Sequence, residues 1–275
     1  MPLLPAAVML ACLVAGTTLS AGEASIDAQG KRIILIGGTK SHGPGEHDFP
    51  HGLAAIKQAL LAITNVHGLA VDIYPDAWPP ASVSLAGTST IIWYFDGIQE
   101  VPHPLLNPDR RAAFAALMDQ GVGLVCLHQA TSLPDDNTSI PLTSWLGGCR
   151  YGMIDRANVD LPYTQVHADS PVCRGWASFT YKDEIYPTLA FVPGGKGVTP
   201  LLTAVAPPEK PATHTIAWTF DRAGGGRSFG FTGLHYLSSM RNEAVRRMVL
   251  NGILWTAHIE VPAGGADSPL VPQSP

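Results

Sequence analysis

The segment Gly121-Val122-Gly123-Leu124-Val125-Cys126-Leu127-His128 constrains the fold more than any other stretch of the chain. It is short, apolar up to its last residue, opened by glycine and followed by the polar Gln129-Ala130-Thr131-Ser132. A strand with no polar residue on either face must be covered on both, which is the setting of an inner strand in a parallel sheet. In such sheets ligands bind beyond the carboxyl ends of the strands, so His128 stands where a site is expected. A lone loop histidine is more often tied to backbone. What singles out His128 is that other strand ends carry similar groups.

The surrounding pattern repeats the theme. Lys31-Arg32 opens Ile33-Ile34-Leu35-Ile36 and then Gly37-Gly38, a first strand running into a glycine-rich loop. An amphipathic helix follows through Leu53, Ile56, Leu60 and Leu61. Leu69 to Tyr74 reads as a second strand, and Thr90 to Phe95 as a third that ends at Asp96-Gly97. Asp109 is the expected N-cap of a helix through Phe114, Leu117 and Met118. Four strand–helix alternations with short links imply a three-layer α/β domain with a mostly parallel sheet. Beyond Ser139 the pattern changes to alternating segments at 158–166, 178–186, 197–205, 213–220 and 227–232. These are expected as extra strands of the C-terminal half, before a last helix from Glu243 to Ala257.

The expected organisation is a signal peptide at 1–22, a polar linker at 23–30, one domain at 31–262 and a disordered Pro/Gly/Ser-rich tail at 263–275. The leader rests on the apolar run from Leu3 to Ala15 and the small residues after it, although no Lys or Arg precedes the run. The protein is therefore expected to be secreted or periplasmic. The apolar stretch is short for a membrane span and breaks at Gly16. Without Cys12 three cysteines remain: Cys126 reads as a buried apolar filler, and a Cys149–Cys173 pair is left open. With a formal net charge of -5 and no Lys/Arg cluster, nucleic acid is excluded as a partner. A small carbohydrate, and further copies of the chain in a homo-oligomer, are the partners to consider.

Chemistry-bearing residues gather at strand ends: His42 and His47 after the first strand, Asp96 after the third, then His128 and His235. Glu184 is a further candidate. Histidines with a carboxylate form a ligand set for Zn, Mn or Fe and equally an acid/base set near neutral pH. Each has a plainer reading alone. His47-Asp48 could cap a helix, His42 could be solvated, Asp96-Gly97 is a turn dipeptide and Glu184 could face solvent. His51, His67, His103, His167, His214 and His258 are left as surface or core residues. No nucleophile elbow, P-loop or dinucleotide fingerprint is present, so no nucleotide cofactor is expected.

These residues resemble the ThuA-like family of trehalose-utilisation proteins over about 31–262. The resemblance is carried by Ser41-His42-Gly43-Pro44-Gly45-Glu46-His47, Asp96-Gly97, the Gly121–His128 strand, and Arg227-Ser228-Phe229-Gly230-Phe231-Thr232-Gly233 with His235. It implies a flavodoxin-like, class I glutamine amidotransferase-like fold and a bacterial, secreted setting. At the amidotransferase's nucleophilic cysteine this chain has His128, which argues against that activity. The family's link is to disaccharide catabolism and oxidised (keto) sugars. On this reading His128 and Glu184 are catalytic, His42, Asp96, Tyr186 and Tyr236 bind substrate, and His47, His128 and His235 bind a divalent metal. The alternative is a sugar-binding module without catalysis.

Overall fold

The computed structural model describes residues 25–75, 78–97, 103–134, 140–152, 156–207 and 210–270; the expected signal peptide lies outside them. In chain order the first half comprises β1 (Ile26–Asp27), β2 (Arg32–Gly37), α1 (Phe49–Leu61), β3 (Val66–His67), β4 (Ala70–Tyr74) and β5 (Thr88–Tyr94). After these come α2 (Pro108–Asp119), β6 (Gly123–Leu127), β7 (Ser132–Leu133), α3 (Leu142–Leu146) and β8 (Gly148–Tyr151). The second half adds β9 (Ala157–Gln165), β10 (Phe179–Ile185), β11 (Ala190–Phe191), β12 (Val198–Ala206), β13 (Ala212–Asp221), β14 (Arg227–Phe231) and α4 (Glu243–Thr256).

The three layers are as expected, because period-two alternation sends apolar residues to both faces of the inner strands. Ile33, Leu35, Val125 and Leu127 pack on one side with Leu53 and Ile56 of α1 and Val249 and Ile253 of α4. Ile34, Ile36, Leu124 and Cys126 pack on the other with Phe114 of α2 and Trp145 of α3. Helix α4 lies close to the sheet: a Cβ on Gly252 would meet the Phe229 ring at 2.6 Å.

The sheet itself corrects the expectation. Its nine strands run β10-β9-β12-β13-β14-β6-β5-β2-β4, parallel from β14 to β4 but antiparallel from β10 to β14, so it is mixed rather than mostly parallel. The C-terminal strands are joined without crossover helices, and hairpin connections force antiparallel pairing.

Three smaller expectations also change, and the open question of the cysteines is answered. Asn107, not Asp109, caps α2: its Oδ1 accepts from Asp109 N–H and Arg110 N–H at 3.0 Å. Pro108 takes the first helical position, where its missing N–H costs nothing, and so fixes the cap one residue earlier. The linker is pinned, since β1 pairs with β3. The tail is laid down as far as Leu270. Asn251 accepts Ala266 N–H at 2.8 Å, and the Ser268 hydroxyl donates to Ala59 O at 2.9 Å, so specific polar docking replaces the disorder its composition implied. Finally, Cys126, Cys149 and Cys173 are all free thiols. Cys149 and Cys173 belong to cores on opposite sides of the sheet and form no pair.

Candidate functional site

The chain leaves β2 for α1 and β4 on one side, then returns past β2 to β5 on the other. The carboxyl ends of β2 and β5 therefore frame the crevice where α/β sheets collect ligands. Ser41, His42 and His47 follow β2, Asp96 follows β5, His128 follows β6 and His235 follows β14. Glu184 comes from β10, four strands removed from β14 in the sheet. A flat sheet would hold those two strands ~19 Å apart at about 4.8 Å per step. Yet the Asp183 carboxylate accepts Leu234 N–H at 2.8 Å and His235 N–H at 3.0 Å. The antiparallel half thus bends back over the parallel strand ends and brings Glu184 with it.

The loops after β2 and β14 are zipped together. His47 N–H donates to His235 O at 3.0 Å, Leu237 N–H donates to Gly45 O at 2.8 Å, and Glu46 bridges Tyr236. Among the described residues four non-glycines have positive φ, and three of them, His47 (43°), His128 (53°) and Leu234 (78°), lie here. Such backbone persists only where the surroundings over-determine it, and it clusters at functional sites.

Hydrogen-bond partners fix the imidazole protons. His128 Nδ1 is 2.9 Å from Thr232 O, a pure acceptor, so the proton is on Nδ1 and Nε2 is bare. Ser41 gives its only hydroxyl hydrogen to Asp96 Oδ2 at 3.0 Å, so His47 Nδ1, also 3.0 Å away, must donate to Ser41, leaving His47 Nε2 bare. These two bare nitrogens face each other at 2.8 Å. His235 Nδ1 is 3.2 Å from His128 Nε2, and Glu184 Oε1 is 3.8 Å from His235 Nδ1. Tyr186 stacks on the His128 ring at 4.8 Å, directs its hydroxyl hydrogen to Gln129 and carries the Arg150 guanidinium 3.9 Å from its ring centroid.

Burial keeps the three central imidazoles uncharged. It pushes His47 down to about 3, with the neighbouring His42, His235 and Arg156 adding to the effect. Burial also holds His128 well below the usual range, and lowers His235 to about 4 against the pull of Glu46. Burial raises the Glu184 carboxyl, opposed by Arg156 and Arg150, and lifts Asp183 to about 7 despite its four donors.

Converging lone pairs repel unless a cation or proton lies between them. The donor atoms of His47, His128, Glu184 and His235 all lie within 4.8 Å of one another, and the four residues could hold a metal ion. Nitrogens about 2.0–2.1 Å from a tetrahedral ion stand roughly 3.3 Å apart, close to the 2.8 and 3.2 Å seen here. His42, His47 and Asp96 form a second, overlapping group.

The structure gathers every residue proposed for the site but sorts them differently. His47, His128, His235 and Glu184 meet at the centre, all buried. His42 packs on His47 with ring centroids 3.8 Å apart, and Tyr236 stands edge-on to His235 at 4.7 Å. Asp96 and Tyr186, expected to bind substrate, are enclosed at 1% exposure: Asp96 accepts the Ser41 hydroxyl hydrogen and Tyr186 stacks on the His128 ring. Trp93, close to a strand end, is core. The sequence reading missed Ser41, Gln129, Arg150 and Asp183. The Ser-x-x-x-x-x-His spacing and the Asp183-Glu184 doublet were available as signals; nothing marked Arg150.

The ThuA family model, described as trehalose utilisation, matches residues 34–256. The chain belongs to the ThuA family. Two ThuA-like proteins of known structure share its fold. The protein from Bacteroides uniformis aligns with TM-score 0.59 and 18% identity over 83% of this chain and 92% of its own. The protein from Parabacteroides merdae aligns with TM-score 0.57 and 15% identity over 89% and 97%. Agd3, a carbohydrate deacetylase, aligns with TM-score 0.51 and 10% identity over 85% of this chain but only 33% of its own. At these identities the likeness is one of fold. A search of curated proteins finds no match. Among the described residues, no helix is long and apolar enough to cross a membrane.

Proposed function

We propose that this ThuA-family protein is an exported enzyme of carbohydrate catabolism, acting on a disaccharide or keto-sugar at a metal-assisted site. The observation that carries the reading is the 2.8 Å approach of two bare, uncharged imidazole nitrogens, with a third imidazole and a buried carboxylate beside them. His47, His128 and His235 would hold a divalent ion (Zn, Mn or Fe). Such an ion, when bound, polarises a carbonyl oxygen and so acidifies the adjacent C–H. Thr232 O and the Ser41–Asp96 pair hold the His128 and His47 rings in their ligating tautomers.

Glu184 is the proton carrier. Burial raises its carboxyl toward the range useful at neutral pH, and Arg156 Nε, 3.8 Å from Oε2, moderates that shift. It takes the proton from the carbon beside the keto group. It then returns that proton to the former carbonyl carbon in an isomerisation, as the hydroxyl hydrogen of the first carbon passes to the former carbonyl oxygen, or to a departing glycosidic oxygen as a carbon–carbon double bond forms in an elimination. The carbohydrate assignment is supported by the family description and by the deacetylase among the structural neighbours.

The test is elemental analysis of the purified protein together with turnover of keto-disaccharides. Near-stoichiometric Zn, Mn or Fe is expected, lost in His128→Ala. Glu184→Gln keeps at least part of the metal but loses turnover. Absence of metal after reconstitution, or sugar binding without turnover that survives His128→Ala, would replace this reading with a sugar-binding module.

A further inference from the structure

The pairing that sets His47 against His235 also borders a second space. A cavity of about 390 Å³ is lined by Pro44, Gly45, Tyr236, Leu237, Ser238 and Arg241. Tyr236 belongs to both places. Its ring stands edge-on to the His235 imidazole at 4.7 Å, and its hydroxyl donates to Asn158 Oδ1 at 2.8 Å, which fixes the ring. At Gly45, φ is +76° and nothing lies within 4 Å of where a Cβ would sit, so the backbone there faces open space. An anchored aromatic ring offers a surface for the C–H side of a pyranose, and the Ser238 hydroxyl and Arg241 guanidinium offer partners for its hydroxyls. The volume is at the small end of ligand sites, of order 300–1,000 Å³, which suits one ring rather than a chain segment.

We propose that this groove is the subsite for the second ring of a disaccharide whose first ring sits at the His47–His128–His235–Glu184 cluster, an inference that rests on the proposed carbohydrate function. The larger cleft, about 510 Å³ between Tyr74, Trp78, Asn107 and Arg110, does not compete. None of its lining residues packs on a cluster imidazole as Tyr236 of the groove packs on His235, and Arg110 lies over the Trp78 ring at 5.8 Å, where a sugar would stack.

The experiment is calorimetric titration of the whole protein with trehalose and with glucose, each also as its keto form. Trehalose is expected to bind about tenfold more tightly than glucose in the matching form. Arg241→Ala and the groove-filling Ser238→Trp, both at exposed positions, are each expected to lose about tenfold more affinity for trehalose than for glucose. His128→Ala is expected to weaken both sugars together. Equal losses for the two sugars in Arg241→Ala and Ser238→Trp, or no loss, overturn the subsite. Equal wild-type affinities that still depend on His128 reject the subsite but keep the carbohydrate reading. If no sugar binds the wild type, both fall.

Discussion

Asp183→Asn tests whether the Asp183 carboxylate positions His235. Its Oδ2 accepts from Leu234 N–H at 2.8 Å and from the Ser239 hydroxyl at 3.1 Å. Its Oδ1 accepts from His235 N–H at 3.0 Å and Glu184 N–H at 2.9 Å. Asparagine keeps one oxygen and puts an NH2, which only donates, in place of the other. The cheaper choice places the NH2 at the Oδ2 position, because the Ser239 hydroxyl can turn and accept there. Leu234 N–H is then left unpaired in a buried setting, at a cost of ~1–3 kcal/mol. The surviving bonds fall from charge-assisted to neutral strength, about 1 kcal/mol each, while relief from burying a charge offsets part of that loss. The net expectation is a loss of ~2–4 kcal/mol, large against a total of about 5–15 kcal/mol. For a domain of this size that lowers Tm by ~4–16 °C. Urea unfolding measures the loss, and metal content measures the displacement of His235. An unchanged urea midpoint with undiminished metal binding would refute the positioning role.

Two further outcomes follow from the packing. Burial pushes His103 down to about 3, and its Nδ1 accepts Leu105 N–H at 3.1 Å. The unfolded chain protonates this residue near 6.5 and the native chain does not, so its contribution, on the order of 4 kcal/mol, is lost as pH falls from about 6.5 toward 3. His103→Asn should flatten stability against pH in that window, and identical slopes for variant and wild type would contradict the assignment. Ending the chain after Pro262 removes the docked residues up to Leu270 and strands Asn251 Oδ1. A loss of ~2–4 kcal/mol in urea unfolding is expected, and an unchanged midpoint would mean that the tail contributes nothing.

The parallel half of the fold was legible because its strands are apolar on both faces and its helices carry a single stripe. Each strand end could then be read as a candidate site position, which is how His47, His128 and His235 were found together. The direction of the C-terminal strands was not legible, since alternation reports burial of one face and says nothing of the neighbour's direction. The burial of Asp96 and Tyr186, expected to bind substrate, was not legible, because a strand-end position does not reveal what folds over it. The tail misled for a different reason. Its Pro, Gly and Ser composition lacks apolar anchors, but its order comes from backbone groups meeting Asn251 and Arg246, a match that no local pattern announces.

The four central groups are delivered by segments far apart along the chain: His47 and His128 are separated by 81 positions, and His128 and His235 by 107. During synthesis β2, β4, β5 and β6 can pair early, but the third imidazole arrives only after β14. The molecule therefore holds its chemistry in latent form until β14 and the loop after it have been made. A product broken off before residue 235 leaves His47 and His128 without the third imidazole. Whatever occupies the finished centre stabilises finished chains alone, and so selects whole molecules over fragments.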